Sequence, residues 1–595
     1  MKRIHYYIVC AICAICGLSS CSDFLEIEPQ NEIILEKFWN EKADVDAIIA
    51  GCYSGLQEEA VIKRMMVWGE FRSDNIGPGS NVSSDGSLEK LLKENIDAKN
   101  TYTSWDGFYS VINRCNTVIK YAPGVSAVDP AYTESELQAN IAEMVGIRSL
   151  CYFYLIRAFR DVPFSREAFI DDDQKMDLPA TKFNDVLDSL IYDLENVKSY
   201  AVKRYPITKE LYQTGRVTQD FIHALLCELY LWKKDYQNCI RYADLVIESK
   251  KKIAEENRKQ RNSSTLIQNN DIEEKFNGFP LVSNSTSSGY FGDAYEVLFG
   301  RDRGNQDEVN QEIIFQLVFN DNPGNNGMPA NGAVNSFYGN SNSTIGLVAP
   351  STYIYSQIEN TGQDRKVFAY RNKMLDSRIY TNCLYNGSNS NNAINKFTTS
   401  TITIRVTAGS NPSPDYGSKY QQNENGSNWI IYRLTDIMLL KAEALTQMIS
   451  GSSDAEANEN STALLDRAFA LVNAVNKRSL CQNQLADTLR RSDYNTKADM
   501  ETLVLQERQR ELMFEGKRWF DLVRLSQRTG NTDVLAAAAL QKATTGSGLI
   551  SNHLAKMDAI YWPYNLDEMK VNLNLVQNSA FGSGEDQSYE KTTKK

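Results

Sequence analysis

From residue 143 to 164 the chain reads EMVGIRSLCYFYLIRAFRDVPF, with apolar residues at 147, 150, 151, 154, 155 and 158. That spacing lines one face of a helix. Phe153, Ile156 and Phe159 give it a second apolar face, so the helix is predicted to lie between neighbours. Asp161, Val162 and Pro163 end it, since proline cannot continue a helix. Residues 218–249 carry two further helical patterns that meet at Lys233, Lys234 and Asp235. Small residues, Ala224, Cys227 and Ala243, stand where two such helices would approach closely.

A comparable pairing joins 437–447 to 463–478 through a Gly/Ser/Asn/Glu-rich connection at 450–461. Tight polar turns and small residues at the crossings resemble tetratricopeptide hairpins. Between about 255 and 428 the pattern changes. Residues 301–400 contain 18 Asn with much Ser and Gly, which favours turns over long helices. Short β-prone runs at 313–319 and 401–406 interrupt this stretch, which is predicted to be a large irregular region on a helical scaffold. Its Tyr290, Phe291, Tyr295, Phe337, Tyr338, Tyr353 and Tyr355 favour binding over disorder, because loops this long are usually functional or disordered. Helix returns at 501–527, where Glu507/Arg510, Glu515/Arg518, Lys517/Asp521 and Asp521/Arg524 stand at helical spacing. Such pairs contribute a few tenths of a kcal/mol each and ordinarily mark a solvated face. Residues 583–595 have one apolar side chain, Tyr589, and read as a flexible tail.

Of 11 cysteines, four fall in the first 21 residues. Lys2 and Arg3 precede an apolar run from Ile4 to Leu18, a charged segment and hydrophobic core of signal-peptide length, shorter than the ~20 apolar residues of a membrane span. Cys10, Cys13 and Cys16 lie inside it as small fillers. Leu18-Ser19-Ser20-Cys21 is similar to a bacterial lipobox, making residues 1–20 a removed signal and Cys21 the lipidated first residue of the mature chain. Acyl chains add roughly 0.8 kcal/mol per buried methylene and would hold the protein on a membrane. The seven later cysteines contain no CxxC pair and read as buried free thiols. The net charge of −12 over 595 residues supplies no basic field for nucleic acid.

Blocks in a fixed order carry a resemblance. SDFLEIEPQ is followed by Lys37-Phe38-Trp39 and Ala50-Gly51-Cys52-Tyr53; then come Trp105, Tyr109, Ile112 and Asn116, and next Arg148, Tyr154 and Arg157 through Pro163. Asp364-Arg365, Lys396, YRLTDIMLLKAEAL (432–445), ERQRELMFEGKRWFDLVR (507–524) and YWPYNLDEMKVNLNLVQN (561–578) complete the series. From Cys21 to about Phe581 the chain resembles the SusD/RagB family of outer-membrane nutrient-binding lipoproteins, although Tyr564 and Leu573 stand where the family's last segment has proline. The resemblance implies a mostly α fold, an α-α superhelix of four tetratricopeptide-like helix pairs with minor β. It implies one domain over 21–582 with its variable region at about 255–428. It also implies an outer-membrane, lipid-anchored, cell-surface location and a partner, a SusC-type TonB-dependent transporter. The expected cargo is an oligosaccharide; a peptide is the alternative within the family, and an α-helical glycoside hydrolase is the more distant one, since two carboxylates suffice for that chemistry.

After signal removal only His223 and His553 remain, and His223 reads as structural. No HExxH, GxSxG, Walker or GxGxxG motif is present, so no enzyme class is indicated and no cofactor is expected. Scattered Asp and Asn give no calcium-loop spacing, leaving a Ca²⁺ site open. Sugar recognition needs aromatic faces beside planar polar groups. VWGEFRSDNIGPGSN (67–81) places Trp68, Phe71, Arg72, Asp74 and Asn75 before a Gly/Pro loop. The family's ligand site borders this loop, which assigns contact roles to Arg72, Asp74 and Asn75; Trp68 fits the core equally well, and Asp74 fits a cap or turn equally well. Tyr102 is a further early candidate, and Tyr290, Tyr295 and Tyr338 are the stacking candidates of the variable region. As a set they place the site between the early loop and the Asn-rich region.

Overall fold

The computed structural model describes residues 38–262, 276–282, 286–287, 290–292, 294–299, 306–319, 329–339, 346–354, 376–384, 393–397, 402–405, 413–416, 426–450, 459–480, 489–542 and 547–582. The signal segment, Cys21, Cys481 and the tail at 583–595 lie outside them. Helix α1 (Lys42–Gln57) leads through α2 (Glu59–Met66) and packs on α3 (Asp106–Val128). Three more pairs follow: α4 (Glu134–Phe159) with α5 (Phe183–Val197), α6 (Gln219–Trp232) with α7 (Tyr236–Asn262), and α8 (Leu434–Gln447) with α9 (Glu459–Ser479). Helix α3 also lies against α4, and α7 against α8, so the pairs stack in series. This is the mostly helical, tetratricopeptide-like architecture expected from the sequence.

Local chemistry sets these boundaries. Thr133 and Glu136 form a capping box that starts α4, and Thr218 caps α6. At the α6–α7 turn Lys234 adopts φ 66°, reversing the chain within three residues. Ala224, Cys227, Cys239 and Ala243 are fully buried at that crossing, where the two sulfur atoms lie 3.6 Å apart as thiols. All the described cysteines are buried and free, as expected, and burial pushes the Cys115 and Cys227 thiols well up. From Ala142 to Phe159 every residue of α4 is buried, which is the sandwiched helix that its two apolar faces predict. Its charges are answered in place: Arg148 donates to Asn116 Oδ1 at 2.8 Å and to Asp193 at 2.9 Å, and Arg157 to Glu228 at 2.9 Å. His223, in α6, sits beside the Tyr242 ring; burial, with Lys198 and Arg241, lowers its imidazole to about 4.

The C-terminal segment locks the first half of the stack. Trp562 N donates to Ala158 O, and the Tyr564 hydroxyl, at a position where the resemblance leads one to expect proline, donates to Asp161 O at 2.6 Å. Gln577 holds the Tyr564 peptide from both sides, at 2.9 Å each.

The variable region is inserted between the third and fourth pairs. Strand β1 (Ile76–Pro78) belongs to the early loop, whereas β2 (Thr286–Ser287), β3 (Tyr290–Gly292), β4 (Ile313–Leu317), β5 (Val348–Pro350), β6 (Ile402–Arg405) and β7 (Ser413–Tyr416) belong to the region itself. A four-stranded antiparallel sheet runs β7-β6-β3-β2. Strand β4 pairs antiparallel with β8 (Trp429–Arg433), with Trp429 opposite Leu317, and β8 runs directly into α8. The β-prone runs at 313–319 and 401–406 are thus strands, and β4 is buried throughout.

One sequence expectation is corrected. The stretch 501–527 is two helices, α10 (Lys497–Leu512) and α11 (Arg518–Thr529), broken where Phe514 and Gly516 take φ values of 69° and 73°. From Glu507 to Arg524 its charges are buried. Glu507–Arg510 and Asp521–Arg524 pair as expected, but Glu515 pairs with Lys396 and Arg433, Arg518 with Asp74, and Lys517 with Asp436. The helical spacing was correct for two pairs; the break at 513–517 turns the others toward different elements. Glu511 is the hub, receiving Arg378, Arg433, Arg478 and the Tyr295 hydroxyl. Burial alone would raise its carboxyl, but Arg478, Arg433 and Arg378 together hold it well below the usual carboxylate range.

Candidate functional site

The early loop grows from a π-helical turn, Val67–Phe71, pressed against the 513–517 turn. A Cβ on Gly69 would lie 1.9 Å from Gly516 O, so the two backbones touch without side chains between them. Glu70 is fully buried and accepts from the backbone N–H groups of Phe514, Lys517 and Arg518 at 3.0–3.2 Å. Burial raises its carboxyl despite these donors. Its other partner is the Asn75 amide, at 2.8 Å.

These contacts correct the roles expected of the early residues. Arg72 is fully buried, donating to Glu94 at 2.8 Å and to the carbonyls of Ala559 and Ile560, with Trp519 stacked on its guanidinium at 4.3 Å. Asp74 receives Arg518 through two nitrogens at 2.9 and 3.0 Å and Gln509 at 2.9 Å. Asn75 shares that same Gln509 amide. All three are buried fastenings of the loop, not ligand contacts, because their polar atoms face inward to α10, α11 and the C-terminal segment. Trp68 takes the core reading, with its indole N–H on Tyr102 O.

The tyrosines divide similarly. Tyr295 is buried with its hydroxyl on Glu511 and Ser479, and Tyr338 is buried with its hydroxyl on Phe514 O at 2.9 Å. Neither presents a face for stacking, which corrects that expectation too. Tyr102 is buried, with its hydroxyl donating to Asp85 at 2.6 Å, so it anchors the loop from below. Tyr290 lies in β3, opposite Arg405 of β6; its side chain lies outside the described residues.

Strand β1 pairs antiparallel with β5, Ile76 opposite Pro350 and Pro78 opposite Val348, so the early loop and the Asn-rich region meet. Ser351 fastens the seam, donating from its N–H to Asn75 O at 2.9 Å and from its hydroxyl to Asp74 O. Gly79 continues it, donating to Leu347 O at 3.0 Å, where a Cβ would lie 2.2 Å from Gly346 O. Flanking the seam in sequence are the exposed Pro78, Asn81, Ser83, Ser84 and Thr352 and the half-buried Tyr353 and Asp85, the last with its carboxylate taken by Leu88 N–H and the Tyr102 hydroxyl. Burial pushes the Tyr353 phenol up to about 12, with nearby Asp74 adding and Arg518 opposing. The residues singled out from the sequence, Arg72, Asp74, Asn75, Tyr295 and Tyr338, are buried at or near this seam, while the exposed ones were not among them. Of the flanking residues only Tyr353 gave an aromatic signal; Asn81, Asp85 and Thr352 carry none.

Among the described residues no group of three or more His, Cys, Asp and Glu is arranged to hold a metal ion, and no helix is long and apolar enough to cross a membrane. The sequence profile of the SusD family matches residues 295–581, the span from the variable region through the locking C-terminal segment.

By this profile the chain is similar to the SusD family.

SusD-like protein P38 of Formosa agariphila is 26% identical over 573 residues, covering 94% of this chain and 96% of the relative. Two solved structures share the SusD fold with it. A laminarin binding SusD-like protein aligns with a TM-score of 0.56 and 18% identity over 91% of this chain and 100% of its own. Surface glycan-binding protein A from Bacteroides uniformis aligns with a TM-score of 0.57 and 18% identity over 90% and 99%. In this chain Arg148, Arg157 and Glu515, which stand in the blocks that carry the resemblance, form internal ion pairs.

Proposed function

We propose that this protein is a cell-surface glycan-binding lipoprotein of the outer membrane. It captures an oligosaccharide or polysaccharide and delivers it to a SusC-type TonB-dependent transporter, without catalysis. The observation that carries the reading is the β1–β5 seam: two stretches about 270 residues apart in sequence are fastened together, and the exposed or half-buried residues that flank them offer hydroxyls, an amide and the Tyr353 ring. Such a mixture of aromatic face and planar polar groups suits a sugar, whose C–H faces and hydroxyls need both. The naming of two structural neighbours for glycans supports the same class. The anchor would be a lipid on Cys21, which lies outside the described residues.

The reading is tested with the purified chain against a panel of neutral polysaccharides and of peptides, with reducing ends monitored over time. Retention on at least one glycan and no release of reducing ends is the expected result. Affinity for peptides alone would move the protein to the peptide-binding class, and released reducing ends would make it a hydrolase. Mass spectrometry of the mature N-terminus tests the lipid, and co-purification of a TonB-dependent barrel from membranes tests the partner.

A further inference from the structure

A cleft of about 540 Å³ opens where α1, the start of α4, the 202–216 loop and the end of β4 converge, and it shares no residue with those flanking the β1–β5 seam. One wall is aromatic. Tyr205 and Tyr212 meet edge to face, centroids 5.6 Å apart at 90°, with Tyr212 37% exposed to the cleft mouth. Behind them stands Arg216, its guanidinium 5.2 Å from the Tyr212 centroid and 5.8 Å from those of Tyr205 and Tyr53. The arginine is fixed by buried Glu143, donating from Nε at 2.8 Å and Nη2 at 2.5 Å. Tyr53 donates to the same carboxylate and accepts from Val217 N at 2.9 Å. The rings are therefore held in place before any ligand arrives, which lowers the entropy cost of binding.

The facing wall is polar. Asp46, Ser54 and Gln57 repeat along α1 at helical spacing, and Asn140 joins them from α4; Gln57 also donates to Val318 O and Asn140 to the Tyr132 hydroxyl. Lys42 pairs with Glu136 and Arg216 with Glu143, Asp46 is exposed, and the exposed Lys209 carries its Nζ 5.4 Å from the Tyr212 centroid, so a ligand would share that ring with a displaceable surface lysine. A cleft with its arginine committed to an internal carboxylate offers no bidentate clamp to a phosphate or carboxylate ligand. Preformed aromatic faces opposite hydroxyl, amide and carboxylate groups, in a volume within the small-ligand range, fit an uncharged polyhydroxylated ligand.

We infer that this cleft is a second glycan site, taking a short neutral oligosaccharide with a sugar ring on Tyr212. The inference rests on the glycan-binding reading for its ligand class and on the cleft for its place. It gives the protein two points of attachment on one polysaccharide, and two linked sites raise avidity without any new contact.

Calorimetry on the full chain with laminaritriose, maltotriose and cellotriose as probes tests it, using Tyr212→Ala and Ser54→Trp in the cleft and Tyr353→Ala at the seam. Removing the Tyr212 ring is expected to weaken the cleft about tenfold, equivalent to ~1.4 kcal/mol, with an unchanged thermal midpoint. Ser54→Trp, which fills the cleft from the other wall, should repeat the loss, and the Tyr353→Ala/Tyr212→Ala double variant should lose binding that Tyr353→Ala retains. If both cleft variants bind each trisaccharide as the parent does while Tyr353→Ala abolishes binding, the glycan reading stands and the second site falls. If no probe binds the parent chain, both fall. Peptide binding that Tyr212→Ala removes would overturn the ligand class.

Discussion

Gly69 and Gly516 meet backbone to backbone, and a methyl group on the first would fall 1.9 Å from the carbonyl oxygen of the second. The contact brings the π-helical turn of the early loop onto the break between α10 and α11, so the loop's position is set by two residues with no side chain. Gly69→Ala must separate those backbones and with them the three hydrogen bonds that Phe514, Lys517 and Arg518 donate to Glu70. Overpacking of a close contact costs about 1–3 kcal/mol or more. Urea denaturation should place this variant at or beyond the upper end of that range, and a loss under 0.5 kcal/mol would mean the turn can shift freely.

Glu511 holds three arginines and a phenol in the interior. Its removal leaves Arg378 with Asp376 and Glu507, Arg433 with Glu515 and Arg478 with Glu312, one negative charge short in the interior, and breaking buried pairs costs about 3–5 kcal/mol. Glu511→Ala is expected to lose that much in chemical denaturation. Because its carboxyl is held far down in the folded chain, the stability it contributes is present above the unfolded carboxylate range, about pH 4.3, and is lost as pH falls below it.

His223 gives a separate acid window. Its folded value, about 4, lies below the unfolded value of ~6.5, chiefly through burial and then through Lys198 and Arg241, with Glu195 opposing. The neutral imidazole is the native form, so its contribution is whole above pH 6.5 and is lost as pH falls toward 4, by up to ~3 kcal/mol. A His223→Gln variant should show a flatter stability profile between pH 7 and 4.5 than the parent. Parallel profiles would show that the histidine charges without cost.

The tyrosines separate fastening from contact. Tyr338→Phe and Tyr295→Phe lose hydroxyl bonds in the interior and should cost about 1–2 kcal/mol each, with glycan affinity unchanged. Tyr353→Ala should weaken glycan binding at least threefold and leave the thermal midpoint within experimental scatter. The reverse pattern, with affinity following Tyr338 and not Tyr353, would move the site beneath the seam.

The scaffold was legible because apolar spacing and turn chemistry survive in one dimension. The two faces at 147–159, the turn at Lys233–Asp235 and the small residues at 224, 227 and 243 all mark packing that any helix pair must satisfy. The break in 501–527 was not legible, since Phe514 has no propensity for positive φ and is held there by tertiary contacts with Glu70 and Tyr338. Nor was the fate of its charges. A charged side chain at helical spacing reads as a solvated pair unless a partner from a distant segment, here Lys396 or Asp74, is known to reach it. The same ambiguity misled the choice of site residues: Arg72, Asp74 and Asn75 are polar, adjacent and near a loop, which describes a ligand contact and an internal fastening equally. The β1–β5 pairing joins two strands of three residues each, too short to carry a sequence signal, and the residues that flank it carry little more.

The position of the variable region between α7 and α8 has a consequence for how such a chain can change. Helices on either side of the insertion pack on each other, so the stack closes regardless of what the inserted segment contains. The entropy of closing a loop grows only with the logarithm of its length, about 0.6 kcal/mol per doubling. A lineage can therefore lengthen, shorten or exchange the whole cassette at a small thermodynamic penalty, provided the replacement keeps a strand for β1, a strand for β8 and counter-charges for the arginines around Glu511. Diversity of cargo then needs no new scaffold.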